Sequence, residues 1–398
     1  MAPDRRPGLV TGTGARRLAV VHPSTELYGA DQQMLESLTA AVDGGWDVTL
    51  VLPGDGPLAP RAAQRGARVV TASFPVLRKS LLRPRGLVDL AVGGTRAVAA
   101  GARWLRRERV DALYVSTVTL PTWLASARLA RVPALCHVHE AEADQHRLVT
   151  AGLTAPLLAA TRLVSNSAAA RDALGGAFGS LRERTRVVHN GVLGPVDEPG
   201  PPPARGDGAL RVVLVGRLSP RKGSDVAVEA VGLLVREGRD VRLRLAGSTF
   251  EGYEWFERDL RRRVAELGLD ERVELLGFVH PPWGELADAD VALVPSRVEP
   301  FGNTAVEAML ARRPVVASAT QGLVEVVQDG RTGLLVPPDD PHALAAALRR
   351  LHDDPALRRA LADAGRAEAL VRFSTERYAG DVRAELDALV PGRVTAAR

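Results

Sequence analysis

Glu299 and Glu307 lie eight positions apart and flank the stretch Pro300-Phe301-Gly302-Asn303-Thr304-Ala305-Val306, just after the apolar run Val291 to Pro295. A strand that ends in a small-residue turn and then opens a helix presents free backbone N–H groups above the sheet edge. Those donors suit a phosphate or sugar oxygen, and the two carboxylates can accept hydrogen bonds from hydroxyls. The ligand this chemistry fits is part anion and part polyol.

A second set lies upstream. The run Leu210-Arg211-Val212-Val213-Leu214-Val215 reads as a buried strand, followed by Gly216-Arg217-Leu218-Ser219-Pro220-Arg221-Lys222-Gly223-Ser224-Asp225. The spacing of Val226, Ala230, Val231 and Leu234 predicts a helix after it. Cations in the turn before a helix sit at the end of its dipole where negative charge is preferred. Arg217, Arg221 and Lys222 repel that end unless an anion lies between them, and a diphosphate satisfies the arrangement. The plainer reading of Arg217 and Lys222 is as surface cations.

Two doubly wound α/β halves must position these groups. Apolar runs in the first fall at Leu18–Val21, Val48–Leu52, Val69–Val70, Ala112–Val115, Ala134–Val138, Arg162–Val164 and Val187–Val188. Those in the second fall at Val212–Val215, Leu243–Ala246, Val273–Leu276, Val291–Val294, Val315–Ala317 and Leu334–Val336. Helical patterns between most of them mark βαβ units and parallel sheets. The polar segment 195–208, with Pro199-Gly200-Pro201-Pro202-Pro203, reads as a stiff linker between domains at 1–194 and 209–374. A last helix is expected near 375–390.

A chain of 398 residues with 46% hydrophobic content supports two cores. Its single cysteine, Cys136, excludes an internal disulfide and fits a reducing cytoplasm. No apolar core of signal-peptide length opens the chain, and no run has the roughly 20 apolar residues of a spanning helix. The expectation is a soluble or membrane-peripheral protein. Up to Gly194 there are 24 Lys+Arg against 15 Asp+Glu, a net of +9, while the remainder is net −4. The region between Pro75 and Val110 holds Arg78, Lys79, Arg83, Arg85, Arg103, Arg106, Arg107 and Arg109 among its basic residues. It is either a solvated face or a surface for anionic lipid or an anionic acceptor. Nucleic acid is not expected, because aromatic stacking residues are not interleaved with the cations.

Other motifs carry little. Gly12-Thr13-Gly14 precedes the first strand and lacks a third glycine, so it is no dinucleotide fingerprint. No Walker-type glycine loop occurs. Asp288-Ala289-Asp290 is similar to a metal-binding carboxylate pair, yet it ends an amphipathic stretch just before a buried strand, which disfavours a metal.

Gly216-Arg217 with Arg221-Lys222-Gly223, and Glu299 with Glu307 around Phe301-Gly302-Asn303, together resemble the retaining glycosyltransferases of GT-B fold, family 4, also called glycosyl transferases group 1. The match extends to Val187-Val188-His189-Asn190-Gly191-Val192, to Pro314-Val315-Val316-Ala317-Ser318 and to Gly330-Arg331-Thr332-Gly333-Leu334-Leu335-Val336. The resemblance implies two Rossmann-like domains facing a central cleft, with the last helix crossing back onto the first domain. It implies a hexosyltransferase using a UDP- or GDP-sugar, without metal or other cofactor. The acceptor would be a glycan, lipid-linked or small-molecule hydroxyl in bacterial polysaccharide or glycoconjugate assembly. The setting would be the cytoplasm or the inner face of the membrane.

Residue by residue, the resemblance places Arg217 and Lys222 on the donor diphosphate, Glu299 on the sugar hydroxyls and Glu307 on the ribose. Gly216, Phe301, Gly302, Asn303 and Thr304 join the donor site, and the base meets backbone near Gly277-Phe278-Val279. His139, followed by the acidic Glu140, falls beside the sugar's primary hydroxyl and the reacting carbon. Alternation puts His137 on the same strand face as His139. The acidic run Glu140, Glu142, Asp144 with His146 and Arg147 then lines an interdomain edge. Gly29 would offer its backbone to the diphosphate. Tyr28 replaces the first glycine of the usual pair, and Tyr28 with Asp31 is assigned to the acceptor. Plainer readings stay open: Thr304-Ala305-Val306-Glu307 fits a capping box, His139 a packed histidine and Gly29 a turn glycine. An epimerase or phosphorylase of the same fold and a non-catalytic binder are the alternative functions. Only Lys79 and Lys222 occur as lysines, neither convincing for a pyridoxal phosphorylase.

Overall fold

Parallel strands covered by helices on both faces read as continuous apolar runs, and each of the thirteen runs above forms a strand. The computed structural model describes residues 15–27, 29–77, 84–140, 147–203 and 208–391, with side chains of 84–92 and 147–149 left aside. The first domain contains β1 (Arg16–Val21), β2 (Trp46–Leu52), β3 (Arg68–Thr71), β4 (Ala112–Val115), β5 (Ala134–Val138), β6 (Arg162–Ser165) and β7 (Thr185–Val187). They form one parallel sheet in the order β3-β2-β1-β4-β5-β6-β7. The second contains β8 (Leu210–Val215), β9 (Val241–Ala246), β10 (Val273–Gly277), β11 (Val291–Val294), β12 (Val315–Ser318) and β13 (Leu334–Val336). Its parallel order is β10-β9-β8-β11-β12-β13.

In both sheets the order reverses once, between β1 and β4 and between β8 and β11. Ligands of open parallel sheets bind beyond the strand C-termini at such a reversal. Each sheet is sandwiched between two apolar clusters. In the second domain one gathers Val226, Val231 and Leu234 of helix Ser224–Arg236, and the other gathers Val306, Met309 and Phe373.

The last helix, Thr375–Asp387, belongs to the first domain's core. Tyr378, Val382, Leu386 and Leu389 pack with Met34, Leu38 and Trp46, and burying each contributes on the order of 1.5–3 kcal/mol. Tyr378 Oη lies 2.6 Å from Ser37 Oγ, and Ser374 caps the helix by accepting the Arg377 N–H. Glu385, only 1% exposed, accepts from Arg162 at 2.7 Å and Arg186 at 2.9 Å. Phe373, by contrast, sits in the second domain's core. The chain therefore changes domain over a few residues after Phe373. The described part of the linker is tethered: Arg313 donates to the Gly200 carbonyl at 2.8 Å.

The stretch read from sequence only as basic contains a helix, Pro84–Arg107. It approaches helix Pro121–Ala130 so closely at Gly101 that a Cβ there would meet Ser126 Oγ at 2.5 Å. Arg78, Lys79 and Arg83, and the Arg85 side chain, lie outside the described residues. Among those described, no helix is long and apolar enough to cross a membrane.

Candidate functional site

The two sheets present their C-terminal edges to a shared cleft of about 460 Å³. Gly29, His139, Gly216, Arg217, Lys222, Val279, Glu299, Phe301, Gly302, Asn303, Thr304 and Glu307 all line it.

Two glycine contacts make the second domain's wall. Gly216 has φ 141° and its carbonyl would be 1.8 Å from a Cβ at Gly247, so the turns after β8 and β9 abut backbone to backbone. Gly223 has φ 68° and a Cβ there would strike the Pro295 carbonyl at 2.0 Å. Only glycine allows the Pro220–Lys222 turn to press against the end of β11. Arg297 fastens the same junction. Its guanidinium binds the Asp225 carboxylate at 2.7 and 3.0 Å, the Asp339 carboxylate at 2.6 Å and the Pro220 carbonyl at 2.5 Å.

The consequence is a close ion pair. Lys222 Nζ donates to Glu299 Oε2 at 2.5 Å, and Ser296 Oγ donates to the same oxygen at 3.3 Å. Glu299 is 7% exposed. Burial pushes its carboxyl upward, but Lys222, aided by Arg221 and Ser296, outweighs burial and holds it below the ordinary range. Arg217 lays its guanidinium over the Phe250 ring, 3.7 Å from the centroid.

Helix Asn303–Leu310 starts at Gly302, φ 111°, with no side chain capping it. The plainer reading of Thr304-Ala305-Val306-Glu307 as a capping box does not hold: Thr304 is already inside the first turn, and Glu307 lies one turn deeper, half-buried. Burial pushes the Glu307 carboxyl up to about 7, with Lys222 offsetting only part of that. The uncapped first turn, Gly302 to Thr304, lines the cleft and suits an anion or a hydroxyl. Phe301 is 2% exposed and packs on Phe373, 5.6 Å between centroids, so its ring serves the core and its backbone meets the cleft.

The opposite wall comes from the first domain. Gly29 opens helix Gly29–Asp43, and a Cβ there would sit 3.6 Å from Asn303 Nδ2 across the cleft. Asn190 Nδ2 donates to Asn303 Oδ1 at 2.8 Å, a direct bond between domains. His139 follows β5. Its ring lies 4.1 Å from that of His137, whose Nδ1 is 2.6 Å from Tyr114 Oη. Burial, with the nearby His22 adding to it, pushes the His139 imidazole down to about 3. It is neutral at physiological pH and cannot add a cation to the site.

Asp31 requires a correction. It does not line the cleft: it is 3% exposed and its carboxylate lies 2.8 Å from His22 Nε2, while His22 Nδ1 lies 2.7 Å from Ser116 Oγ. The helix carries this side chain inward, where the histidine at the end of β1 partners it. Tyr28, Glu142, Asp144 and His146 lie outside the described residues, as does the Arg147 side chain. Glu140 accepts from Thr117 and from the His139 N–H and is not part of the lining. Asp290 accepts the Arg211 N–H at 2.8 Å, and Asp288 lies 3.7 Å from Arg244. Both carboxylates already have partners.

Residues that sequence reasoning did not assign also line the cleft, notably Gln33, Asn166, Asn190, Ser248 and Phe250. Asn166 and Ser248 stand just past β6 and β9, where the strand C-terminus rule would have found them. A second groove of about 460 Å³ lies at Arg211, Arg242, Asp270 and Glu274. Charges along it are paired, Arg244 with Glu274 at 3.2 Å and Arg272 with Asp240. Apart from Asp288 and Ala289 of the carboxylate motif, it holds none of the candidate site residues named from the sequence.

Two family models match the chain: "Glycosyl transferase 4-like domain" over residues 29–191 and "Glycosyl transferases group 1" over residues 209–354. A D-inositol 3-phosphate glycosyltransferase of Geodermatophilus obscurus is 31% identical over 330 residues, spanning 78% of this chain and 69% of that protein. D-inositol 3-phosphate glycosyltransferase 1 of Catenulispora acidiphila is 36% identical over 222 residues, 52% of each chain. An alpha-D-kanosaminyltransferase of Streptomyces kanamyceticus is 34% identical over 154 residues, 38% of this chain and 39% of that one. The match thus spans about half the length, or less, of these last two relatives. Among solved structures, Anabaena Alr3699/HepE in complex with UDP and glucose aligns with TM-score 0.77 at 22% identity, covering 93% and 99% of the two chains. A glycosyltransferase from Rickettsia africae aligns with TM-score 0.79 at 16% identity, covering 95% and 99%. These likenesses show the GT-B fold.

Proposed function

Since the chain belongs to the glycosyl transferases of group 1, we propose that it is a retaining hexosyltransferase drawing on a UDP- or GDP-sugar. One observation carries this reading. Arg217, Lys222, Glu299, Glu307 and the uncapped helix start at Gly302 share one wall, with Gly29 and His139 facing them across about 460 Å³. Cations, donor N–H groups and carboxylates within one cleft match a diphosphate joined to polyols.

In the proposed reaction the acceptor hydroxyl approaches the anomeric carbon on the face the diphosphate leaves. The carbon–oxygen bond to the nucleoside diphosphate breaks, a new one to the acceptor oxygen forms on that face, and the departing β-phosphate oxygen takes the hydroxyl proton. Arg217, Lys222 and the Gly302–Thr304 turn stabilise the charge that grows on the leaving group. Glu299 orients the sugar hydroxyls and Glu307 the ribose. Neutral His139 offers a hydrogen bond to the sugar without competing for the phosphate. No step is assigned to a metal. Tyr28 stays with the acceptor in this proposal.

The acceptor we propose is a hydroxyl of a small polyol, a glycan or a lipid-linked sugar in bacterial glycoconjugate assembly. The names of the inositol phosphate relatives support the polyol. The net of +9 up to Gly194 supports an anionic membrane face for a lipid-linked acceptor at the cytoplasmic side.

The test is a panel of UDP-, GDP- and ADP-hexoses with EDTA present. One donor is expected to raise the unfolding midpoint, since a ligand at a hundred times its Kd adds about 2.7 kcal/mol of stability. With acceptor extracts, that donor should release free nucleoside diphosphate and yield a glycoside of unchanged anomeric configuration. A binder would release none, and a hydrolysing epimerase would release it together with a free, epimerised sugar.

A further inference from the structure

Helix Ala168–Gly175 of the first domain is capped from the second. Ser167 accepts the Ala170 N–H, but the Ala168 and Ala169 N–H groups donate to Glu325 at 2.9 and 3.0 Å. Glu325 sits in the short helix Leu323–Val326, between β12 and β13. Its carboxylate is also 3.1 Å from His189 Nε2. One second-domain side chain therefore holds two first-domain loops, and these carry Asn166 and Asn190 into the cleft.

The same segment reaches the donor wall. The Gly322 N–H donates to the Glu299 carbonyl at 3.0 Å, and a Cβ at Gly322 would lie 2.3 Å from the Pro300 carbonyl. The His189 ring packs 5.8 Å from both Phe301 and Phe373. The interdomain crossing lies here too. Arg377 donates to the His189 carbonyl, and the Val192 N–H donates to the Phe373 carbonyl at 2.9 Å.

We propose that Glu325, with His189 as its partner, is a positioning residue that holds the two domains at their working separation and ties that separation to the turn carrying Glu299. It touches no substrate. Its effect on transfer rests on the function proposed above, but its effect on domain separation does not. With the carboxylate removed, the first two N–H groups of helix Ala168–Gly175 lose their partner, and the cleft walls keep the Asn190–Asn303 bond, the Val192–Phe373 backbone bond and the packing of His189 on Phe301 and Phe373.

The experiment compares wild type, Glu325→Ala, Glu325→Gln and His189→Ala. Cys136 is buried and is the only cysteine, so spin labels go on Leu129→Cys in the first domain and Ala356→Cys in the second, both exposed. Dipolar distances are read in the ligand-free protein and with UDP or GDP added. Glu325→Ala is expected to broaden and lengthen the ligand-free distribution, and Glu325→Gln, which keeps an acceptor oxygen, to restore much of it. Turnover in Glu325→Ala should fall by about ten-fold with a raised donor KM, again partly restored by Gln. An unchanged distance distribution in Glu325→Ala would overturn the proposal, including where the unfolding midpoint drops, because that is a merely structural role. If the distances respond but no sugar donor is turned over, the coupling stands and the functional reading falls.

Discussion

Replacing Lys222 by alanine is expected to lower turnover by about 10²–10³-fold, the range found when one donor to a developing anion is removed. Lys222 sits in the Pro220–Lys222 turn, locked against Pro295 by Gly223 and by Arg297. Its ammonium is thus held where the second sheet's order reverses, with little reorganisation needed when the leaving group gains charge. The replacement also strips Glu299 of its cation, and a buried carboxylate without a partner is costly. The double variant Lys222→Ala/Glu299→Gln isolates the stability effect: it should recover stability, while turnover stays low with both donor-site groups altered. Single-turnover rates with circular dichroism and urea midpoints on the same samples make the check. Turnover within a few-fold of wild type in Lys222→Ala would remove this residue from the mechanism.

Glu307 gives the second large effect, on stability. Its carboxyl is pushed from 4.5 up to about 7 by burial. The folded state therefore binds the proton more tightly than the unfolded chain between those values. Stability must fall as pH rises through that window, and the loss is complete above about pH 7. At 1.36 kcal/mol per unit the full loss is on the order of 3 kcal/mol. Glu299 has the opposite sign: with its carboxyl held low by Lys222, its contribution is present above the unfolded value and disappears as pH falls through the folded one. Glu307→Gln should therefore be more stable than wild type in the ligand-free state at pH 8, and the two should converge below about pH 4.5. Urea midpoints at both pH values measure this. Donor affinity should move the other way. Ribose hydroxyls donate to an ionised carboxylate, so wild-type affinity rises through about pH 7, and Glu307→Gln is weaker and flat with pH. Parallel stability curves for the two proteins would contradict the assignment.

The strands were legible because doubly wound sheets bury both faces, leaving runs such as Val291–Val294 with no polar interruption. Strand ends followed from this, and with them the neighbourhood of Gly216, Glu299 and His139. Contacts between distant positions were not legible. The Lys222–Glu299 bond joins residues 77 apart, and Asn190–Asn303 joins residues 113 apart. Sequence chemistry gave Lys222, Glu299 and Asn303 a ligand but no protein partner, and gave Asn190 neither. Asp31 shows the limit within one turn of helix. Its place in the first turn of a helix is the same whether the side chain points to the cleft or to His22, and only the packed helix decides. The capping box failed for a related reason. Gly302 at φ 111° ends the turn two residues before Thr304, and the cap register depends on that angle. Arg297 drew no attention because a lone arginine after a strand looks like solvent-facing charge until Asp225 and Asp339 are brought around it.

The account stands on a cleft that grips a diphosphate through Arg217 and Lys222, and titration calorimetry of UDP against uridine, and of GDP against guanosine, tests this most directly. One diphosphate is predicted to bind at least about ten-fold tighter than its nucleoside, a difference of 1.4 kcal/mol, and Arg217→Ala/Lys222→Ala is predicted to erase that advantage while nucleoside binding persists. Equal binding of diphosphate and nucleoside by the wild-type protein, or an advantage that survives the loss of both cations, would contradict it.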